Sequence, residues 1–188
     1  MGVFKGVPKG GIAFFDSGIG GLTVLATCKK YIEEENFYYY GDNEHAPYGN
    51  LHPKKIKRYV FKVFKKLQRL NVRAVVVACN TATAVCIDDL RKKFHFPIIG
   101  VEPAVREASR SGGEVLVLAT CATCNSKRFH ILCDRIQKEY PCAQIKGVGC
   151  AGLAEAIEKN WSKGEYEYTP FLPQATPGAV VLGCNHYV

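Results

Sequence analysis

The stretch AVVVACN at residues 74–80 is repeated near the end of the chain as AVVLGCN at residues 179–185, with five of the seven positions identical. Each copy is a short apolar run, typical of a buried parallel strand, and ends in a cysteine and an asparagine. Open α/β sheets bind ligands at the carboxyl ends of their strands. One such cysteine is ordinary packing sequence, but the repeat favours two half-sites, with Cys79 and Cys184 on opposite sides of one ligand.

The rest of the chain alternates short apolar runs with longer amphipathic stretches, the order expected for parallel α/β architecture. Seven strands are predicted, at residues 11–15, 37–40, 74–78, 97–101, 114–119, 144–148 and 179–183. Six helices are predicted, at residues 22–35, 53–70, 81–94, 102–110, 126–140 and 153–160. Residues 161–178 are left unassigned. The pattern predicts parallel sheets covered by helices.

The composition is that of an ordinary globular protein, with 188 residues of which 47% are hydrophobic and 22% charged. This mix excludes a disordered or collagen-like chain, and the absence of a long apolar run argues against a membrane span or signal peptide. The net charge of +8 arises between residues 54 and 70, which hold eight basic residues and no acidic one. Apolar residues recur there at helical spacing, so a solvated helix face is favoured over a nucleic-acid or membrane surface.

Nine cysteines without a secretion signal predict reduced thiols in the cytoplasm. Cys121 and Cys124 form a lone C-x-x-C motif. No second pair or histidine cluster accompanies it, so a metal site is not expected, while a thiol redox role stays open as an alternative. Cys79 leads into a predicted helix, whose amino-terminal dipole should favour its thiolate.

The loop DSGIGG at residues 16–21 follows the first predicted strand. It is not a dinucleotide fingerprint, because Thr23 occupies the position of the required glycine, and no Gly-Lys-Ser/Thr sequence follows. Asp16 would repel phosphate but could bind a substrate ammonium group or hold a nearby base, and Ser17 offers a hydroxyl. Helix capping by Asp16 is the alternative. The loop YGDNEHAPYG at residues 40–49 follows the second predicted strand in the same way.

Together these motifs resemble those of the glutamate racemase family of cofactor-independent amino-acid racemases, over nearly the whole chain. The matching motifs are DSGIGG at 16–21, PYG at 47–49, CNTA at 79–82 and GCNHY at 183–187. Thr120 and Thr123 resemble the threonine-bearing loop of the family, and Glu158 stands where the family has a site glutamate. The family has threonine at the position of Asn185, and Ala119 and Cys121 also depart from its pattern.

The resemblance implies an isomerase that interconverts L- and D-glutamate without pyridoxal phosphate, another cofactor or a metal, and supplies D-glutamate for peptidoglycan, cell-wall biogenesis and cell shape. Inversion needs a base on one face of the carbon and an acid on the other, which are roles for a thiolate and a thiol at Cys79 and Cys184. In the family pattern Asp16 supports Cys79, and His186 supports Cys184 with Glu158 nearby. The implied substrate-binding residues are Asp16, Ser17, Pro47, Tyr48, Gly49, Asn80, Thr81, Thr120, Thr123, Asn185 and His186.

The resemblance also implies an α/β fold of two pseudo-symmetric lobes with the active site between them. We predict a first lobe at residues 1–98 and a second at 99–188, and expect the C-terminal segment that completes the first lobe in the family to be missing. The expected partner is glutamate, a homodimer is left open, and neither membrane nor nucleic acid is expected. The alternatives are an aspartate or other amino-acid racemase of the same superfamily, and a truncated, non-catalytic binding protein.

Overall fold

A computed structural model describes residues 10–160, 162, 166–175 and 177–188, and it contains two parallel sheets. The first has the order β2-β1-β3-β4, with β1 at Ile12–Asp16, β2 at Phe37–Gly41, β3 at Ala74–Val77 and β4 at Ile98–Gly100. The second has the order β6-β5-β7, with β5 at Gly113–Ala119, β6 at Ala143–Gly149 and β7 at Ala179–Leu182. All seven predicted strands are confirmed. We call the parts built on these sheets the first and second lobes.

The helices are α1 at Leu22–Lys29, α2 at Pro53–Arg69, α3 at Asn80–Lys93, α4 at Val105–Ser109, α5 at Cys121–Cys124, α6 at Lys127–Glu139 and α7 at Leu153–Asn160. Short 3-10 turns occur at Tyr48–Asn50, Thr169–Phe171 and Asn185–Tyr187. The six predicted helices are present, and α5 was not predicted. Residues 161, 163–165 and 176 of the segment left unassigned lie outside the described residues.

Two helices are shorter than predicted. The first, α1, ends at Lys29 and not near residue 35, because three successive acidic residues at 33–35 would lie at the negative end of the helix dipole. The fourth, α4, begins at Val105 and not at Glu102, because the residue before a proline, here Pro103, is disfavoured in the helical conformation.

Each lobe has its own apolar core between sheet and helices. In the first lobe, α2 buries Ile56, Val60, Val63, Phe64 and Leu67 against the sheet, so its basic residues lie on the opposite face, as predicted. In the second lobe, Val115, Val117 and Val181 of the sheet pack with residues of α6. Among the described residues, no helix is both long and apolar enough to cross a membrane.

The parallel direction of the strands brings their carboxyl ends together between the lobes. β1 ends at Asp16, β3 leads into Cys79, β5 leads into Thr120, and β7 leads into Cys184. Strand β4 lies in the first sheet and includes residue 98, the last residue of the predicted first lobe. The position of this lobe boundary stays a prediction. The fold thus assembles the two repeated cysteine motifs at facing sheet edges.

Candidate active site

Cys79 lies at the amino end of α3 and is buried, with only 3% of its surface exposed. Its Sγ donates to Oγ of Ser17 at 3.5 Å and accepts from the backbone N–H of Ala82 at 3.4 Å. The pKa of Cys79 is raised to about 12, mainly by burial and also by the carboxylate of Asp16, while the Ser17 and Ala82 contacts lower it. The backbone N–H at the amino end of the helix therefore favours the thiolate, in the predicted direction, but desolvation outweighs this effect.

Asp16 is fully buried at the end of β1. Its Oδ2 accepts from the backbone N–H of Gly18 at 3.0 Å, and its Oδ1 accepts from Nδ2 of Asn185 at 2.9 Å. These bonds fix the glycine-rich loop and connect it to the second lobe. Toward Cys79, the charge of Asp16 opposes formation of the thiolate, because both groups would be negative. Support of Cys79 by Asp16 stays a prediction.

Cys184 follows β7 and is 5% exposed. Its Sγ lies 3.7 Å from Nδ1 of His186, and Nε2 of the same ring lies 2.6 Å from Oε1 of Glu158 on α7. Burial raises the pKa of Cys184, while the backbone N–H of His186 lowers it. A thiolate of Cys79 would raise this pKa too, so the two sulfur atoms lie within electrostatic range of each other. The structure brings together the three residues expected on this side.

The side chain of Asn185 connects the two lobes. Its Nδ2 donates to Oδ1 of Asp16 and to the carbonyl of Ala78, each at 2.9 Å. Its backbone N–H donates to Oδ1 of Asn80 at 3.1 Å. The two asparagines that follow the repeated cysteines thus bond to each other across the lobe boundary.

The close approach of the second lobe explains the glycines at 18 and 20, whereas a Cβ on Gly21 would meet Asp16 and Ala78 of the first lobe. A Cβ atom on Gly18 would overlap the carboxylate of Glu158, and one on Gly20 would lie 2.7 Å from Oδ1 of Asn185. The backbone N–H of Ile19 donates to Oε1 of Glu158 at 3.2 Å. The loop is therefore a docking surface for the second lobe.

Three predicted substrate-binding threonines form a buried cluster at the same boundary. Oγ1 of Thr120 lies 2.9 Å from Oγ1 of Thr81 and 3.0 Å from Oγ1 of Thr123. A hydroxyl can both donate and accept, so this cluster can rearrange its hydrogens toward a carboxylate.

Comparison with known proteins decides the family, since the sequence model of the Asp/Glu/hydantoin racemases matches residues 22–187. The chain belongs to this racemase family. It is 39% identical over 184 residues to a protein named glutamate racemase from Clostridium botulinum (strain Okra / Type B1), covering 94% of this chain and 70% of that one. The protein of the same name from Clostridium kluyveri (strain ATCC 8527) is 39% identical over 186 residues, covering 94% and 71%.

Solved structures of racemases have the same fold. Escherichia coli glutamate racemase, in complex with L-glutamate and the activator UDP-MurNAc-ala, superposes with a TM-score of 0.81 at 33% identity, covering 96% of this chain and 71% of that one. Glutamate racemase from Campylobacter jejuni gives 0.76 at 28% identity, covering 94% and 72%. The two-lobed α/β racemase fold is therefore confirmed.

The predicted substrate loop of this racemase, at residues 47–49, is fixed by a buried hydrogen bond. Tyr48 is 1% exposed, and its hydroxyl donates to Oδ2 of Asp42 at 2.6 Å. Burial and the Asp42 carboxylate raise the pKa of this hydroxyl. Pro47 follows a cis peptide bond, and a Cβ on Gly49 would lie 2.7 Å from Cγ2 of Thr120. The Tyr48 hydroxyl therefore holds the loop, which leaves the backbone around Gly49 facing the threonine cluster.

Two residues with a part in this site were not predicted. Asp42 accepts from Tyr48 and also pairs with Nδ1 of His45 at 3.0 Å. Tyr39 donates from its hydroxyl to the carbonyl of Gly18 at 2.8 Å and so fixes the glycine-rich loop. The available signal for Asp42 was its position directly after β2, at the sheet edge that carries the other site residues. Nothing in the local sequence distinguishes Tyr39 from its tyrosine neighbours.

The alternatives built on other cysteines gain no geometric support. All nine cysteines are free, and Cys121 and Cys124 lie on the single turn of α5. No group of three metal-ligating side chains occurs within the part of the chain that the structure describes. A groove of about 940 Å³ between the lobes includes Gly49 and Cys121 in its lining, but neither Cys79 nor Cys184.

Proposed function

We propose that this chain is a glutamate racemase in which Cys79 and Cys184 exchange protons with opposite faces of the substrate α-carbon. The observation that carries this proposal is the placement of two buried thiols at facing sheet edges, each beside its own polar partners. The relatives named glutamate racemase support glutamate as the substrate.

Inversion at the α-carbon requires two proton transfers. A thiolate on one side takes the α-proton, and the electron pair of the broken C–H bond stays on the carbon and its carboxylate. The thiol on the other side then gives its proton to the opposite face, which leaves a thiolate there. The reverse reaction exchanges the two roles, so the resting enzyme holds one thiolate and one thiol. Because the two sulfur atoms interact, they titrate as a pair.

The neighbours of each thiol fit this chemistry. The Ser17 hydroxyl and the Ala82 amide lie beside Cys79, and His186 backed by Glu158 lies beside Cys184. Hydrogen bonds to sulfur stabilise the charged form against desolvation. In the absence of a cofactor's electron sink, positioning and charge stabilisation lower the barrier to forming the carbanion.

Substrate binding is proposed for the polar groups between the two thiols. The threonine cluster, the backbone near Gly49 and the amide of Asn80 supply donors for carboxylates, and Asp16 supplies the negative charge that attracts an ammonium group. Both thiols are at most 5% exposed, so the lobes must separate to admit glutamate. Closure then excludes water and strengthens the interactions with the developing charge.

We further propose that the D-glutamate formed serves peptidoglycan synthesis in the cytoplasm. The E. coli relative was solved with L-glutamate and the activator UDP-MurNAc-ala, which supports this role. Association into a homodimer stays a prediction.

The test is a chiral chromatographic assay of the purified chain with L-glutamate, D-glutamate and L-aspartate, without added cofactor. We expect both glutamate enantiomers to approach an equal mixture, with aspartate converted much more slowly. Preferential conversion of aspartate would replace the proposed substrate. No conversion of either amino acid by folded protein would contradict the proposed activity and favour the non-catalytic binding protein.

A further inference from the structure

The orientation of the Asn185 side-chain amide is fixed by two groups that only accept hydrogen bonds. Its Nδ2 lies 2.9 Å from Oδ1 of Asp16 and 2.9 Å from the carbonyl oxygen of Ala78. A carboxylate and a carbonyl have no hydrogen to give, so the NH₂ group must face them. The amide oxygen, Oδ1, therefore faces the other way, 3.1 Å from Nδ1 of His186.

The orientation of the Asn185 amide determines whether Nδ1 of His186 carries a hydrogen. The amide oxygen of Asn185 accepts only, so the contact is a hydrogen bond only if hydrogen is on Nδ1. Without that hydrogen, two lone pairs would face each other at 3.1 Å between side chains that are both only 6% exposed. Unsatisfied polar contacts of this kind are costly where water cannot compensate them.

The other ring nitrogen of His186 also faces an acceptor. Its Nε2 lies 2.6 Å from Oε1 of Glu158, which already accepts from the backbone N–H of Ile19. An ionised carboxylate has no hydrogen to give, so this short contact needs hydrogen on Nε2 as well. The charged and titratable groups around the ring are Glu158 from α7, Cys184 from its own turn, and Asp16 through Asn185.

We propose that Asn185 is a positioning residue whose amide oxygen keeps hydrogen on Nδ1 of His186, so that this nitrogen faces Sγ of Cys184 as a donor. The sulfur lies 3.7 Å from Nδ1, so the one hydrogen on this nitrogen is shared between the amide oxygen of Asn185, at 3.1 Å, and the sulfur. The same amide group, through Nδ2, is bound to Asp16 in the first lobe. Asn185 thus sets the donor state of His186 only when the lobes are closed.

The catalytic consequence rests on the proposed function. A donor beside Cys184 stabilises its thiolate, and it acts against burial and the charge of Asp16, which oppose a thiolate at Cys184 as they do at Cys79. When the lobes close around substrate, this donor lowers the cost of holding a thiolate at Cys184.

The test measures the ring itself and needs no activity. In protein labelled with ¹⁵N-histidine, long-range proton–nitrogen NMR spectra report whether each ring nitrogen carries hydrogen, and the His186 signals are assigned by their loss in His186→Gln. We expect hydrogen on both nitrogens of His186 at pH 7. In Asn185→Leu, which has a similar shape but no amide oxygen, we expect Nδ1 to lose its hydrogen. Wild-type protein with hydrogen on Nε2 alone would overturn the proposal.

The matched control for this measurement is a second asparagine at the lobe boundary. Asn50 also bonds a carboxylate of the other lobe but is exposed, so we expect Asn50→Leu to keep hydrogen on Nδ1 of His186. Hydrogen retained on Nδ1 in folded Asn185→Leu protein would overturn the proposal.

A third variant keeps the proposal testable if Asn185→Leu fails to fold. Asn185→Thr places a hydroxyl that can donate or accept, so it does not fix the hydrogen on Nδ1. We expect partial loss of hydrogen from Nδ1 in folded Asn185→Thr protein, and full retention as in wild type would contradict the role of the amide. The expected NMR results without glutamate conversion would refute the proposed function but not the role of Asn185. Glutamate conversion by protein that carries hydrogen only on Nε2 of His186 would support the proposed function and refute the role of Asn185.

Discussion

Asn185 donates from Nδ2 to Oδ1 of Asp16 at 2.9 Å, and this bond joins the end of β7 in the second lobe to the end of β1 in the first. Both residues are at most 6% exposed, so the bond forms only when the lobes are packed together. The contacts that close the lobes are therefore the same contacts that surround the two thiols. Mutations at the boundary should change catalysis before they change the fold.

Glu158→Gln tests whether the carboxylate of Glu158 supports His186 in catalysis. The carboxylate accepts from Nε2 at 2.6 Å, and loss of a hydrogen bond to a charged group costs about 1.5–3 kcal/mol, so we expect kcat to fall about 10- to 100-fold. Glu155→Gln is the control, because Glu155 lies on the same helix but is partly exposed and contacts Lys159 at 2.6 Å and Asn50 at 3.4 Å, and neither thiol. Equal steady-state rates for the two variants would contradict the assignment of Glu158.

Arg128→Ala tests an ion pair between the lobes. From α6, Arg128 contacts Oδ1 of Asp88 at 3.0 Å and Oε1 of Glu102 at 2.7 Å. Because these pairs are partly exposed, we expect only about 1 kcal/mol loss of unfolding free energy, but a several-fold rise in KM for glutamate as closure weakens. Arg106→Ala is the control, since its partner Glu139 lies in the same lobe. A KM change of equal size in both variants would argue against the closure role.

The buried thiols predict how stability depends on pH. Burial raises the pKa of Cys86 in the folded chain to about 12, against about 8.5 in an unfolded chain. Between these values the unfolded chain loses a proton that the folded chain keeps, so the free energy of unfolding falls as pH rises. The contribution of the Cys86 thiol to the free energy of unfolding is fully present below about pH 8.5.

Urea unfolding at pH 8, 9 and 10 measures this slope. We expect Cys86→Ala to lose stability less steeply than wild type, by up to about 1.4 kcal/mol per pH unit. The exposed Cys142, replaced in Cys142→Ala, should leave the slope unchanged. Parallel curves for wild type and Cys86→Ala would show that the thiol pKa is not raised.

The basic face of α2 should be dispensable for turnover. Lys55, Lys62 and Lys65 are exposed, whereas Lys57 pairs with Asp89 at 2.6 Å and is retained. We expect the triple variant Lys55→Gln, Lys62→Gln, Lys65→Gln to keep kcat/KM for glutamate within about twofold, because surface charges contribute little at physiological ionic strength. A large loss of kcat/KM in folded protein would assign this face a function.

The sequence predicts the seven strands and the position of the site because both are local properties. Apolar runs specify buried strands, and the residues that follow them must lie at one sheet edge. The motif resemblance then singles out Cys79 and Cys184, which the structure places at facing edges.

The contacts between elements could not be predicted in this way. The bond from Asn185 to Asp16, the pairing of Tyr48 with Asp42 and the position of Arg128 depend on how separate segments approach in three dimensions. The raised pKa of Cys79 was missed for the same reason, because the sequence shows the helix terminus but not the depth of burial. Local patterns specify elements, and packing specifies the chemistry of the site.

The two-thiol mechanism is tested most directly by following deuterium in heavy water, by proton NMR and chiral separation at early conversion of L-glutamate. We expect the D-glutamate formed to carry deuterium at the α-carbon while the remaining L-glutamate keeps its α-proton, because separate thiols serve the two faces. Cys79→Ser and Cys184→Ser should each abolish racemisation, and Cys133→Ser on α6 should not. Deuterium appearing equally in both enantiomers at early times, or full racemisation by either variant, would contradict the two-thiol mechanism.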